Sequence, residues 1–181
     1  MLFDIFENNN DTLSNNNSTN NYVNSGIDYL GKHFNDIDLK RGVTHLPSNG
    51  RYSNYNLVEH ILKKIGRADI VRFTYSIAPT GARTYQKLAD NELINSFVLI
   101  LDISARTRNK KALKLLKGFK TVFVSNHSKI TLIKNDTYNI TVLGSQNDNQ
   151  AKRFESLIIF TDIRTFNFYN KIANGFITKK A

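Results

Sequence analysis

Cysteine is missing from the 181-residue sequence, which removes disulfides, thiolate metal sites and thiol nucleophiles together. No apolar run reaches the roughly 18 residues that a membrane-spanning helix requires. The first residues also lack a basic start followed by an apolar stretch. The expectation is a cytoplasmic protein with no membrane span. Acidic side chains are scarce: 15 Asp and Glu stand against 25 Lys and Arg, for a formal charge of +10. That excess favours a polyanionic partner, either nucleic acid or an anionic membrane surface. The length suits one domain, and a folded part of about 140 residues would bury roughly 68–70% of its unfolded surface.

Apolar residues are also scarce near the N-terminus. After Leu2, Phe3, Ile5 and Phe6, the segment carries nine Asn between Asn8 and Asn24. Such a composition cannot bury enough surface to offset its backbone entropy, so residues 1–24 are expected to be a disordered tail. Residues 25–42 hold scattered aromatics without a clear period and are expected to be a connector. His33 lies there with no ligand partner nearby. The folded domain is then expected over residues 43–181.

Within that domain, periodicity marks the elements. Val43 to Leu46 predicts an edge strand ending at Pro47, followed by a turn at Ser48-Asn49-Gly50. Leu57, Val58, Ile61, Leu62 and Ile65 form one stripe of a helix over residues 55–65, capped by Ser53 or Asn54 and stopped by Gly66. A buried strand is expected over 69–78, a helix from Pro79 to about Leu93, and a central strand over 97–103, where Asp102 is expected to face solvent. Strands at 121–125 and 156–161 and a last helix after Asp162 complete the order. Alternating strands and helices followed by adjacent strands predict an α/β fold, a mixed sheet with helices on both faces.

The segment 106–120 contains seven basic residues in fifteen and no acid. Leu113, Leu115 and Leu116 give it a narrow apolar seam, so a helix is expected. An unbalanced run of like charge is self-repulsive. Arg106, Arg108, Lys110, Lys111, Lys114 and Lys117 are therefore candidates for contacting nucleic-acid phosphates, each releasing counterions on binding.

The densest set of chemical groups lies between His127 and Glu155. His127 and Lys129 are two apart, so on an extended strand they leave from one face. Ile130 and Leu132, then Ile140 and Val142, alternate with their neighbours around a polar turn at residues 135–139, which predicts a hairpin. The hairpin returns Gly144-Ser145-Gln146-Asn147 beside His127-Ser128-Lys129. An imidazole, an ammonium, a hydroxyl and a carboxamide are thereby gathered. Such a set can hold a phosphodiester and attack it.

His-x-Lys, a hairpin, Gly-Ser-x-Asn and then Glu155, eight positions past Asn147, resemble the phospholipase D-like superfamily. The resemblance covers about residues 43–177, one half of a two-copy phospholipase. The single motif is similar to that of the small nuclease branch, which builds one site from two subunits. One position departs: after Lys129 and four further residues the family pattern has Asp, whereas this sequence has Lys134, with Asp136 two residues later. In the family that Asp mainly braces the backbone.

The resemblance implies a metal-independent mechanism without a cofactor, run by His127, Lys129, Ser145, Asn147 and Glu155. His127 would be the nucleophile that forms a phosphohistidine. Lys129, Ser145 and Asn147 would meet the charge on the phosphoryl oxygens. Glu155 would accept a hydrogen bond from the other ring nitrogen of His127. The leaving oxygen needs a proton, and with one such His per chain the donor would be His127 of a second subunit, in a homodimer. Nucleic acid is the expected substrate, DNA ahead of RNA. A homologue that binds nucleic acid without cleaving it is the alternative, with phospholipid cleavage third.

Overall fold

The computed structural model describes residues 18–150 and 153–178. Helix α1 spans Ser18–His33, β1 Val43–Asn49, α2 Asn54–Ile65, β2 Ala68–Thr74, α3 Pro79–Asp90 and β3 Ile94–Asp102. Two short turns, α4 Ala105–Arg108 and α5 Lys110–Leu113, lead to β4 Lys120–Val124. Then come β5 Ile130–Lys134, β6 Asn139–Gly144, β7 Phe154–Phe160 and α6 Ile163–Thr178.

The strands make one seven-stranded mixed sheet in the order β1-β7-β6-β5-β2-β3-β4. β2, β3 and β4 are parallel, joined by helical crossovers. β5, β6, β7 and β1 continue from β2 by antiparallel pairing. Apolar residues on both surfaces of the sheet require cover on both. Leu30 of α1, Leu57 and Ile61 of α2, and Tyr85 and Leu88 of α3 pack on Ile70, Leu99, Ile133, Ile140 and Leu157. Phe166 and Ala173 of α6 pack on Phe73, Ile100, Val122 and Leu132 from the other side. The expected class, an α/β mixed sheet flanked by helices, is the observed one. Among the described residues no helix is long and apolar enough to cross a membrane.

The strand directions place the C-terminal ends of β2, β3, β4 and β6 beside the N-terminal ends of β5 and β7. Ligands of open α/β sheets bind beyond the carboxyl ends of the parallel strands. The hairpin forms as its alternation predicts, with Ile130 opposite Leu143 and Lys134 opposite Asn139. Asn135 closes it: its Oδ1 accepts the N–H groups of Thr137 and Tyr138, and its Nδ2 donates to Ile65 O at 3.0 Å.

Four expectations are corrected. The connector over residues 25–42 is not separate from the core. Its first part belongs to α1, and both Leu30 and Leu39 are buried against α2 and the sheet. The tail expected over 1–24 is helical from Ser18 onward, while residues 1–17, with the Leu2–Phe6 patch, lie outside the described residues. β1 runs through Pro47 to Asn49 because it is an edge strand paired only with β7, where proline's missing N–H interrupts no second ladder. The basic segment is not one helix. Asn109, at φ −105 and ψ 24, separates the two turns, and its Oδ1 accepts the N–H of Ile77.

The position of α1 gives a stability prediction. Leu30→Ala should cost about 2–5 kcal/mol, the range for truncating a fully buried leucine. Urea unfolding measures it, and a loss below about 0.5 kcal/mol, the usual size for a surface change, would show that α1 is peripheral.

Candidate active site

Beyond the end of β4 the chain must turn to enter β5, and Asn126 fixes that turn. Its Nδ2 donates to Thr74 O at 3.1 Å and Ile100 O at 3.3 Å, joining the ends of β2 and β3. Its Oδ1 accepts the Ser128 N–H at 3.0 Å, and its own N–H donates to Asp102 Oδ2 at 3.1 Å. Asp102 is therefore mostly buried rather than facing solvent as expected, and it also accepts the N–H and hydroxyl of Ser104. Those hydrogen bonds, the Ser104 hydroxyl foremost, hold its carboxyl below the usual carboxylate range.

This turn presents His127, exposed, and Lys129, half-buried, to the same space. Lys129 Nζ lies 3.2 Å from His127 Nδ1 and 3.4 Å from Nε2, and it donates to the His127 carbonyl at 2.7 Å. Burial, and secondarily the positive charge of Arg72, lower the pKa of Lys129 against the opposing pull of Glu155. Tyr75, one residue past β2, packs its ring against the His127 imidazole with centroids 5.0 Å apart.

The Gly-Ser-Gln-Asn segment closes the other side. Gly144 N–H donates to Lys129 O at 3.1 Å, placing the two motif segments edge to edge. The glycine is needed because β6 and β7 approach closely: a Cβ there would lie 2.6 Å from Ser156 O and would also strike Leu157. Ser145 Oγ donates to Glu155 Oε2 and accepts the Ser156 N–H. Asn147 Oδ1 accepts the Tyr75 N–H at 3.1 Å and the Thr74 hydroxyl at 3.2 Å, which leaves its amide N–H groups as the donors for a ligand. Gln146 points inward, buried, with Nε2 donating to Tyr52 O.

All five sequence candidates thus surround the strand ends, but one contact differs. Among the described residues Glu155 accepts from Ser145, not from His127, because β7 pairs with β6 and sets Glu155 beside the residue following Gly144. Lys134, in place of the expected Asp, is exposed at the far end of β5, about 16 Å from Lys129 at roughly 3.3 Å per residue. Its identity therefore concerns the hairpin tip rather than the site. Among the six basic candidates, Arg106 and Arg108 turn toward the strand ends, with guanidinium carbons over Phe123 at 4.9 Å and Tyr75 at 4.5 Å. Lys110, Lys111, Lys114 and Lys117 are exposed beyond them. No group of three or more His, Asp or Glu suited to a metal ion occurs among the described residues.

Beneath the site lies a buried ion pair that the pattern reading did not single out. Arg72 of β2 and Asp148, the residue after Asn147, are joined by Nε–Oδ2 at 2.7 Å with side chains 1% and 0% exposed. Arg72 also donates to Gln146 O at 2.8 Å and Thr131 Oγ1 at 3.2 Å. Asp148 accepts the Tyr85 hydroxyl at 2.8 Å and Asn54 Nδ2 at 3.2 Å. The signal was an arginine flanked by Val71 and Phe73 in a strand read as buried, since an inward arginine needs a buried counter-ion.

The likeness to solved structures follows these strands and their order. NucT from Helicobacter pylori superposes with a TM-score of 0.57 at 16% identity, covering 76% of this chain and 97% of NucT. Nuc from Salmonella typhimurium, a phospholipase D family member, gives 0.58 at 16%, covering 76% and 94%. The fold is that of the phospholipase D family. Polyphosphate kinase from Porphyromonas gingivalis shares it over a smaller part of its length, with a TM-score of 0.62, 15% identity and coverage of 82% of this chain and 29% of the kinase. The sequence matches no family model and no curated protein.

Proposed function

We propose that the protein is a metal-independent phosphodiesterase acting on nucleic acid through a phosphohistidine intermediate. The observation that carries this reading is the convergence of His127, Lys129, Ser145 and Asn147 on one exposed spot at the strand ends. A ring nitrogen of His127 attacks phosphorus, forming a P–N bond as the P–O bond to the leaving nucleoside breaks. Lys129 and the Asn147 amide stabilise the charge gathering on the non-bridging oxygens. The leaving oxygen takes a proton from the imidazole of a second copy, a general-acid contribution of about 10²–10⁴-fold. Water, deprotonated by that same imidazole, then attacks phosphorus and releases His127 and a phosphomonoester. Glu155 holds the Ser145 hydroxyl and adds a negative charge that favours the Lys129 ammonium. The fold shared with Nuc, a phospholipase D family member, and with NucT supports the phosphodiesterase reading.

A second reading, nucleic-acid binding without cleavage, is favoured by the exposed lysines of the basic segment. It is also favoured by the likeness to TrmBL2, an archaeal chromatin protein with a novel mode of DNA binding, at a TM-score of 0.52 and 11% identity. Incubation with labelled single- and double-stranded DNA and RNA in excess EDTA separates the two. Cleavage by the wild type and none by His127→Ala is expected. Retained binding with no cleavage by either protein would select the second reading, and cleavage that needs added Mg²⁺ would sink the mechanism.

A further inference from the structure

The basic residues of segment 106–120 are not equivalent, because the break at Asn109 turns the arginines of α4 toward the site and leaves the lysines outside. Arg108 is the most constrained. Its guanidinium carbon lies 4.5 Å from the Tyr75 ring centroid, its Nη2 donates to Ser104 Oγ at 2.6 Å and its Nε to Ser104 O at 3.4 Å. Its side chain nevertheless remains 45% exposed. Asp102, the nearest acid at 3.9 Å, already accepts from Ser104 and Asn126 and makes no hydrogen bond to Arg108. The Nη1 donors of Arg108 have no protein partner among the described residues.

Tyr75 connects this cation to the reacting groups. The ring that carries Arg108 also packs on His127 at 5.0 Å, with Lys129 Nζ 6.0 Å from its centroid. The guanidinium therefore stands within about 10 Å of the imidazole, the two ring contacts placed end to end. A phosphodiester held by His127 and Lys129 within a nucleic-acid strand carries its next phosphate one nucleotide away, a spacing this separation accommodates. A guanidinium already ordered by stacking and hydrogen bonds loses little freedom on capturing that phosphate, and its planar fork can bind two oxygens. The neighbouring lysines have no such support.

We propose that Arg108, held on the face of Tyr75, binds the phosphate adjacent to the scissile one, so that the site prefers polynucleotide strands to diesters with a single phosphate. The proposal rests on the phosphodiesterase reading and names the substrate feature that the site selects. Tyr75 is the positioning residue, acting through the guanidinium.

Steady-state cleavage of a fluorescent oligothymidylate, set beside hydrolysis of bis-p-nitrophenyl phosphate, tests it. Arg108→Gln should lose at least tenfold more kcat/KM on the oligonucleotide than on the one-phosphate diester, mostly through KM. The salt dependence of oligonucleotide binding should flatten by roughly 0.7–0.9 in logarithmic slope, the value for one lost phosphate contact. Arg108→Lys should recover only part of the loss, because an ammonium cannot lie flat on Tyr75. Tyr75→Leu also removes the ring packed on His127, so it should slow both substrates and lose further on the oligonucleotide; the two Arg108 variants, which leave that contact in place, carry the test. Equal losses on both substrates would overturn the proposal, and so would an unchanged oligonucleotide KM. If the wild type hydrolyses neither substrate, the phosphodiesterase reading fails by itself. Fluorescence anisotropy with the same oligonucleotide then decides on Arg108: a tenfold weaker complex for Arg108→Gln supports the phosphate contact, and an unchanged one removes it.

Discussion

Asp148→Asn is expected to lower the melting temperature by on the order of 10 °C and to take cleavage with it. The change strips the counter-charge from Arg72, the largest of the fully buried side chains. Breaking a buried pair by removing one partner typically costs about 3–5 kcal/mol, because the remaining charge stays desolvated. For a protein of this size each kcal/mol corresponds to roughly 2–4 °C. Arg72→Met should cost a similar amount, since it leaves the carboxylate with only Tyr85 and Asn54. The double change Arg72→Met with Asp148→Leu removes both charges, and its cost should be well below the sum of the single changes. It should not be zero, because Gln146 O and the Tyr85 hydroxyl lose buried partners. Calorimetry of the three variants reads the coupling, and strictly additive losses would mean that the pair is not a unit.

The same pair reaches the chemistry by two routes. Arg72 grips Gln146 O, inside the Gly-Ser-Gln-Asn loop, so losing it loosens the seat of Ser145 and Asn147. Its charge also helps to lower the pKa of Lys129, after burial itself. A positive neighbour disfavours the ammonium, so removing Arg72 raises the Lys129 pKa. In Arg72→Met, which keeps the Asp148 carboxylate, the alkaline limb of the rate profile, where the ammonium loses its proton, should therefore move to higher pH when measured below that variant's melting temperature. A limb that moves down would mean that Lys129 does not set it.

The sequence disclosed what period and local spacing can encode. The alternation of Ile130, Leu132, Ile140 and Val142 marks a hairpin, and that hairpin alone puts Gly144 against Lys129. The stripe Leu57, Ile61, Leu62 marks α2 for the same reason. Helix α1 was hidden because Ser18–His33 begins in Asn-rich sequence with few apolar residues, and the burial of Leu30 comes from packing on α2 rather than from any local period. The broken basic helix was hidden too, since Asn109 is an ordinary helix residue until Ile77 offers it a backbone N–H. Tyr75, Asn126 and Asp102 reach His127 only through the parallel ends of β2, β3 and β4, contacts far apart in the chain. Glu155 lies near the motif segments, as its spacing suggests, but its hydrogen-bond partner depends on the β6–β7 register, which spacing does not fix.

Mixed dimers are expected to show far less than half of wild-type cleavage. The proposed reaction requires a nucleophile and a general acid, and each chain supplies one suitably placed imidazole. The other histidines lie elsewhere: His33 packs against the Tyr29 ring, His45 lies on edge strand β1, and His60 is buried in α2. His127, by contrast, is exposed, and its ring nitrogens meet only Lys129 among the described residues. A two-fold axis through the strand ends would set both copies of His127 and Lys129 against one phosphate, an isologous arrangement. Two ammonium groups would then share the charge of the transition state. Sedimentation should give a mass near twice 20.7 kDa at micromolar concentration. Co-expression of wild type with a tagged His127→Ala chain then yields heterodimers whose single shared site keeps one imidazole of two. Losing the general acid alone costs about 10²–10⁴-fold, and losing the nucleophile costs the intermediate itself. Purified heterodimers should therefore retain at most about one part in a hundred of the wild-type rate. Half activity would mean that each chain carries a complete site, and an active monomer would rule the shared site out.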